Sequence, residues 1–376
     1  MADPVSNYCP ELWQRMFLYQ SNRTFVAKPC CYYQDTDEPL WTTQPDRIHE
    51  IYNQSAKIRA LREQNQQGHL GPGCHVCTHA ERAGLESGRV SALQRMTDLT
   101  RVRPTRHLDL NLGNLCNLAC AICDPHSSTS WVPIYQAMQD KDWPYPTYDK
   151  NDRPVIDDPA LFEHLETVQL QGGEVFLQTA YVDFFTNLSR ARDLRDIRVV
   201  IFSNGTVIPQ PQLWSLLVRC ASVDLYFSID DTGERFEYQR HGGRWSRVLD
   251  NLAWFDQHAP SHFTLGFHPT YSLLNIYYVG QLCAFMQERF PGWQRRWGPY
   301  HVGTGPCSAD VLPGPVRDAV LERAGHFEEL SFLTSYIRPH SRDFSDFLHY
   351  ISRYDRATKS SYHSTHPEFY DLLTKV

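Results

Sequence analysis

The stretch Leu112–Pro125, LGNLCNLACAICDP, sets Cys116, Cys120 and Cys123 in a C-x3-C-x2-C pattern on one short loop. The run just before it, HLDLNLG (107–113), alternates apolar and polar residues and predicts a strand, so the cysteines stand beyond a strand's C-terminal end. Three thiolates so placed can hold three irons of a cubane cluster and leave the fourth open, because cysteine is the usual protein ligand of such iron. A structural zinc site wants four protein ligands, and the loop offers no nearby fourth cysteine or histidine except His126. Buried, inert thiols are the remaining reading of the pattern.

Outward from the loop, short apolar runs recur as ETVQLQ (166–171), IRVVIFS (197–203), ASVDLYFSI (221–229), HFTLGFHPTY (262–271) and RRWGPYHV (295–302). Helix-period stretches over Leu118–Gln139, Thr179–Ser189, Gln210–Arg219, Trp245–His258 and Asn275–Arg289 separate them. Such alternation predicts parallel βα units, and six strands predict an α/β fold of the partial (βα)6 TIM-like barrel kind, with chemistry at the strands' C-terminal ends. The expected domains are a small cysteine-rich module over 1–103, the barrel over 104–305 and a helical C-terminal extension over 306–376. The first module carries a predicted helix, Asp46–Asn65, and a Gly/Pro-punctuated cysteine loop, Gly68–Cys77.

Composition narrows the function classes. The 376 residues include 36 basic and 43 acidic ones, a net charge of −7 that gives no overall attraction to nucleic acid or anionic membranes. No apolar run approaches the ~18–20 residues of a membrane span, and the start, MADPVSNYCPELWQ, lacks a secretory signal, so a cytoplasmic protein is expected. Eleven cysteines, an odd number with no export signal, point to metal or redox chemistry rather than disulfides.

The cysteine loop after a first barrel strand resembles the signature of the radical S-adenosylmethionine (SAM) enzymes. The resemblance implies that Cys116, Cys120 and Cys123 bind a [4Fe-4S] cluster whose open iron takes SAM, and that Ile122 packs on the adenine. Gln171-Gly172-Gly173-Glu174 resembles the family's GGE motif, which holds the SAM amino group. Ser203-Asn204-Gly205-Thr206 and Ser228-Ile229-Asp230-Asp231 resemble segments that serve the SAM ribose and carboxylate and the substrate pocket. Arg240, in YQRHGGRW, resembles the arginine that pairs with the SAM carboxylate. Tyr271, with His268, Tyr300 and His301, is expected to line the pocket.

A second set comprises Cys9 in C-P-x2-W, Cys30 and Cys31 in P-C-C, and Cys74 and Cys77 in G-x-G-C-x2-C. With His69, His75 and His79 close by, a zinc ribbon is one reading of these residues. The segment also resembles the auxiliary-cluster module called SPASM or twitch, here preceding the barrel where many relatives have it following. That resemblance implies an auxiliary [4Fe-4S] cluster and favours Cys30 over Cys31 as the ligand of the pair, with Cys31 kept as the alternative.

The resulting expectation is a radical SAM oxidoreductase that cleaves SAM to a 5′-deoxyadenosyl radical and takes hydrogen from an amino-acid side chain of a ribosomally made peptide, giving oxidation or cross-linking. Asp230 and Asp231 are candidates for a substrate-side base, and Cys307, in GTGPCSAD, for a hydrogen donor. The expected partners are the substrate and a reductant such as flavodoxin or ferredoxin. The alternatives are dehydrogenation or epimerisation of a small metabolite and, in another class, a noncatalytic zinc-binding interaction protein.

Overall fold

The computed structural model describes residues 8–21, 24–34, 40–82, 86–95, 105–144, 155–295 and 305–375. The strands up to Arg295 are, in chain order, β1 (Arg15–Ser21), β2 (Thr24–Lys28), β3 (Leu40–Thr42), β4 (His107–Asn111), β5 (Ala119–Cys120), β6 (Thr167–Gln171), β7 (Arg198–Ser203), β8 (Ser222–Phe227), β9 (Arg240–His241), β10 (Phe263–Phe267) and β11 (Gln294–Arg295). Five of the six expected runs hold β4, β6, β7, β8 and β10; β11 meets the sixth only at Arg295, and the rest of that run lies outside the described residues. The architecture is mixed α/β with a large, mainly parallel sheet and a helical C-terminal region, as the partial-barrel expectation requires.

The chain divides into two compact units, the first being Met1–Gly113, Tyr148–Ile201 and Gln210–Val223, and the second the remainder. In the first unit the strand order is β7-β6-β4-β1-β2-β3. β6 pairs with β7, β4 with β6 and β1 with β4 in parallel, while β2 and β3 add antiparallel. The polar N-terminal stretch, in which no strand was expected, therefore supplies three. Met16 and Leu18 on β1 are fully buried, and Arg15 at its start forms a two-pronged ion pair with Asp109 of β4, with both contacts at 2.7 Å. The single helix expected over Asp46–Asn65 is two, Ile48–Gln54 and Ala56–Gln66. Ser55 breaks it: its backbone is extended and its hydroxyl accepts from the Ile58 amide, satisfying a donor of the next helix.

In the second unit β8, β10 and β11 lie side by side, and β5 pairs antiparallel with β9. The helices Gly314–Ala324, Ser345–Thr358 and Pro367–Leu373 contribute Val320, Tyr354 and Phe369, all fully buried, to one apolar core with Tyr271 and Leu273. The helix expected from Leu118 starts only at Val132. A helix needs backbone carbonyls to accept from amides four residues on, and here side chains take the carbonyls of 118–121 instead. Ser128 Oγ donates to Leu118 O, Tyr354 OH to Ala119 O, Trp131 Nε1 to Cys120 O and Tyr350 OH to Ala121 O. Among the described residues, no helix is long and apolar enough to cross a membrane.

Candidate functional site

Those side-chain donors hold the cysteine loop open and fix its three thiols. Ser130 Oγ donates to the Cys116 carbonyl at 2.8 Å, and the Cys123 amide to the Cys120 carbonyl at 2.8 Å. Polar groups reach the sulfurs themselves: Asn204 Nδ2 lies 3.7 Å from Cys116 Sγ, and Arg240 Nη1 lies 3.7 Å from Cys120 Sγ. A cation and an amide at this range favour thiolate, the form that binds iron. Cys120, hydrogen-bonded to Cys123 and buried, is pushed up; Cys123 is lowered by the same bond, and Arg240 favours the thiolate at both. Among the described residues, no three His, Cys, Asp or Glu side chains close on a point as they would around a single ion. A cubane asks for a different arrangement, one thiolate per iron.

The segment ending the third barrel strand reaches the loop directly, and the one ending the fourth reaches it through Arg240 of β9. Asn204 Oδ1 accepts from the Thr206 amide and hydroxyl at 2.9 and 2.6 Å, and Asn204 Nδ2 donates to Asn117 Oδ1 at 3.1 Å. Ser203 Oγ accepts from the Gly205 amide, and the Ser203 carbonyl accepts from the Ser228 amide. Arg240 is 7% exposed and pairs with Asp230 at 2.6 Å. Burial works against its charge, but Asp230 and the two thiols outweigh it and raise its pKa. Asp230 is fully engaged: one carboxylate oxygen takes Arg240, the other the Thr270 amide at 2.8 Å, and its carbonyl takes Asn275 Nδ2. Arg240 Nε, by contrast, is buried with no protein partner.

In the first unit, Gly172 and Gly173 follow β6 with φ of +88° and +45°. A Cβ at Gly172 would stand 2.0 Å from Asn111 Oδ1, so both conformation and space demand glycine there. Gln178 Nε2 donates to the Gly172 carbonyl at 3.0 Å, and Tyr181 OH to the Gln171 carbonyl at 2.7 Å. Glu174 is fully buried and accepts from the Phe176 amide at 3.1 Å, capping the short helix that follows. Gln171 Nε2 and Gln178 Oε1 are buried without a protein partner.

Residues 110–272 match the family model of the radical SAM superfamily. The chain carries a radical SAM domain. Its match begins in β4 and takes in the cysteine loop, the GGE turn, both polar strand ends, Arg240 and Tyr271. Among solved structures the chain is similar to anSMEcpe with bound AdoMet and Cp18Cys peptide, at 18% identity and a TM-score of 0.39 over 62% of this chain and 62% of that one. It is also similar to Streptococcus suis SuiB bound to precursor peptide SuiA, at 12% identity and a TM-score of 0.33 over 93% and 73%. The chain thus spans just over three-fifths of the length of anSMEcpe. No curated protein matches it by sequence.

The other expected residues of the radical SAM domain are placed as follows. Ile122 is half-buried against the second unit's core, and Tyr271 is fully buried with its ring 5.4 Å from that of Phe332. His268 packs edge-on against Phe202, while Tyr300 and His301 lie outside the described residues. Asp231 accepts from Arg235 at 2.9 Å and from the Thr232 amide at 2.8 Å; burial outweighs both and lifts it to about 6. A carboxyl raised in the folded state favours folding below its unfolded pKa, and that advantage is lost as pH rises through the folded value. Asp231→Asn should therefore gain on the wild type by about 1–3 kcal/mol between pH 4 and pH 8. Denaturant unfolding at the two pH values checks it; a constant difference would show the carboxyl is not under strain.

Outside the radical SAM domain, Cys9, Cys30, Cys74 and Cys77 line one cavity of the first unit together with Tyr33 and Arg89. Three segments converge to make it. Asn65 Oδ1 accepts from the Cys9 amide at 3.1 Å, and the Gln34 amide donates to the Gly73 carbonyl at 3.0 Å. A Cβ at Gly73 would collide with the Tyr33 ring at 2.5 Å, so only glycine lets the two cysteine segments approach. Burial pushes Cys9 up to about 12 and Cys74 to about 11, with the Cys77 thiol adding to the latter. Cys31 does not line this cavity; burial and then the Asp109 charge push it to about 12. Tyr350, Tyr354 and Trp131, which hold the radical SAM loop, were not foreseen.

Proposed function

We propose that this radical SAM enzyme removes a hydrogen atom from an amino-acid side chain of a ribosomally made peptide, leading to oxidation or cross-linking. The observation that carries the reading is the open three-thiol loop with Arg240 and Asn204 on its sulfurs, inside a radical SAM domain. The donor set fits a cluster with one iron unclaimed by protein, and Arg240 Nε, buried and unpartnered in the same compact unit as the loop, fits a polar ligand. Cys116, Cys120 and Cys123 would hold the [4Fe-4S] cluster. When bound, the cluster and SAM supply the 5′-deoxyadenosyl radical that takes the substrate hydrogen.

The chain's own residues orient and shield. Arg240, fixed by Asp230, offers a buried guanidinium to a carboxylate, and Asp230, with both oxygens engaged, serves to aim it rather than to move protons. Gly172 and Gly173 present a backbone turn that Gln178 steadies, suited to an amino group. Asp231, lifted towards neutrality, is the better substrate-side base of the pair.

We further assign Cys9, Cys30, Cys74 and Cys77 as ligands of an auxiliary [4Fe-4S] cluster of the SPASM or twitch kind, able to accept the electron of the substrate radical left by hydrogen abstraction. Cys30→Ala should remove about four of about eight irons, whereas Cys31→Ala should leave the full count. Iron and sulfide analysis after anaerobic reconstitution decides it, and equal losses would overturn the assignment. A second reading, return of a hydrogen atom to a product radical as in epimerisation of a metabolite, is favoured by Cys307, whose burial pushes it to about 12 and keeps it as S–H. Incubation with SAM, a flavodoxin or ferredoxin reductant and a short peptide encoded beside the gene distinguishes them. Loss of hydrogen from the peptide by mass spectrometry supports oxidation; a mass unchanged in ordinary water but raised by one deuterium in heavy water supports hydrogen return.

A further inference from the structure

Arg89 carries no motif, lies outside the radical SAM domain, and is 6% exposed on the wall of the four-thiol cavity. Its guanidinium is fixed by Glu81, Nε at 2.9 Å and Nη2 at 2.5 Å, and Nη1 donates to the Tyr8 carbonyl at 3.0 Å. Ser87 Oγ donates to the same carboxylate at 2.5 Å. Glu81 sits four residues beyond Cys77 on the helix His75–Arg82, and Arg89 is the second residue of the helix Gly88–Arg95, so the ion pair joins the cysteine-bearing helix to the next one.

The surroundings separate Arg89 from the other cation near the thiols. Arg15, near Cys30 and Cys31, has its charge met by two carboxylates, those of Asp109 and Glu11. Arg89, held by the Glu81 carboxylate, acts instead on Cys9, Cys74 and Cys77. A cluster held by four thiolates is anionic and becomes more so on gaining an electron, so a fixed buried cation favours the reduced form and a nearby carboxylate opposes it.

We propose that the Arg89–Glu81 pair sets the reduction potential of the auxiliary cluster: Arg89 raises it, and Glu81 anchors Arg89 while moderating its charge. This rests on reading Cys9, Cys30, Cys74 and Cys77 as cluster ligands. It bears on whether that cluster accepts electrons or only braces the fold, since a raised potential suits an acceptor.

The test uses full-length protein carrying Cys116, Cys120 and Cys123→Ala, so that only the auxiliary cluster reports, in a redox titration followed by electron paramagnetic resonance. Arg89→Gln should move the midpoint to a more negative potential and Glu81→Gln to a more positive one, with Arg89→Lys between the wild type and Arg89→Gln. Potentials unchanged in both glutamine variants with iron content intact would overturn the proposal. If Arg89→Gln does not load, the sign of the Glu81→Gln shift decides: a rise supports the proposal, and no change or a fall overturns it. A parent that holds no iron–sulfur cluster would remove the reading beneath it as well, whereas a loaded parent with invariant potentials removes the proposal alone.

Discussion

Replacing Cys116, Cys120 and Cys123 together by alanine should remove about four irons per chain and abolish 5′-deoxyadenosine formation from SAM. Asn204 and Arg240, which reach the sulfurs, do so through N–H donors rather than ligand atoms. The auxiliary cluster proposed for the four-thiol cavity, which lies in the other compact unit, should be retained. Iron and sulfide analysis with chromatography of the nucleoside product checks both halves. Retention of the full iron count in the triple variant would place the cluster elsewhere.

Arg240→Met should cost about 3–5 kcal/mol of stability, because it leaves the buried Asp230 carboxylate without its cation. The same change should weaken SAM binding severely, since the guanidinium carries the unpartnered Nε. These effects separate in the pair Asp230→Asn with Arg240→Met. Removing both charges should recover most of the stability, yet SAM affinity should stay low. Denaturant unfolding and titration calorimetry measure the two quantities, and wild-type affinity in the double variant would leave Arg240 a purely structural role.

The cysteine loop was legible in sequence because its chemistry is local: three thiols within eight residues, directly after an alternating strand. The strands β4, β6, β7, β8 and β10 were legible for the same reason, each being a short apolar run. What holds the loop was not legible. Tyr350 and Tyr354 bond carbonyls 229 and 235 residues away, and nothing in the extension's helical pattern marks those hydroxyls as partners of Ala121 and Ala119. That distant claim on the carbonyls also explains why helix periodicity placed the following helix start too early. Asp230 reads locally as a strand-end carboxylate free to act, and only the Thr270 amide and Arg240 show it to be an anchor. At the N-terminus, β1 escaped notice because its stabilising partner, Asp109, lies 94 residues on.

The most direct measurement is the electron paramagnetic resonance spectrum of the reduced, reconstituted protein before and after SAM is added, in the wild type and in the triple alanine variant. A SAM-dependent change present in the wild type and lost in the variant is the predicted result. A fully loaded wild-type protein whose spectrum SAM leaves unaltered would contradict the assignment of the open iron, and with it the radical chemistry.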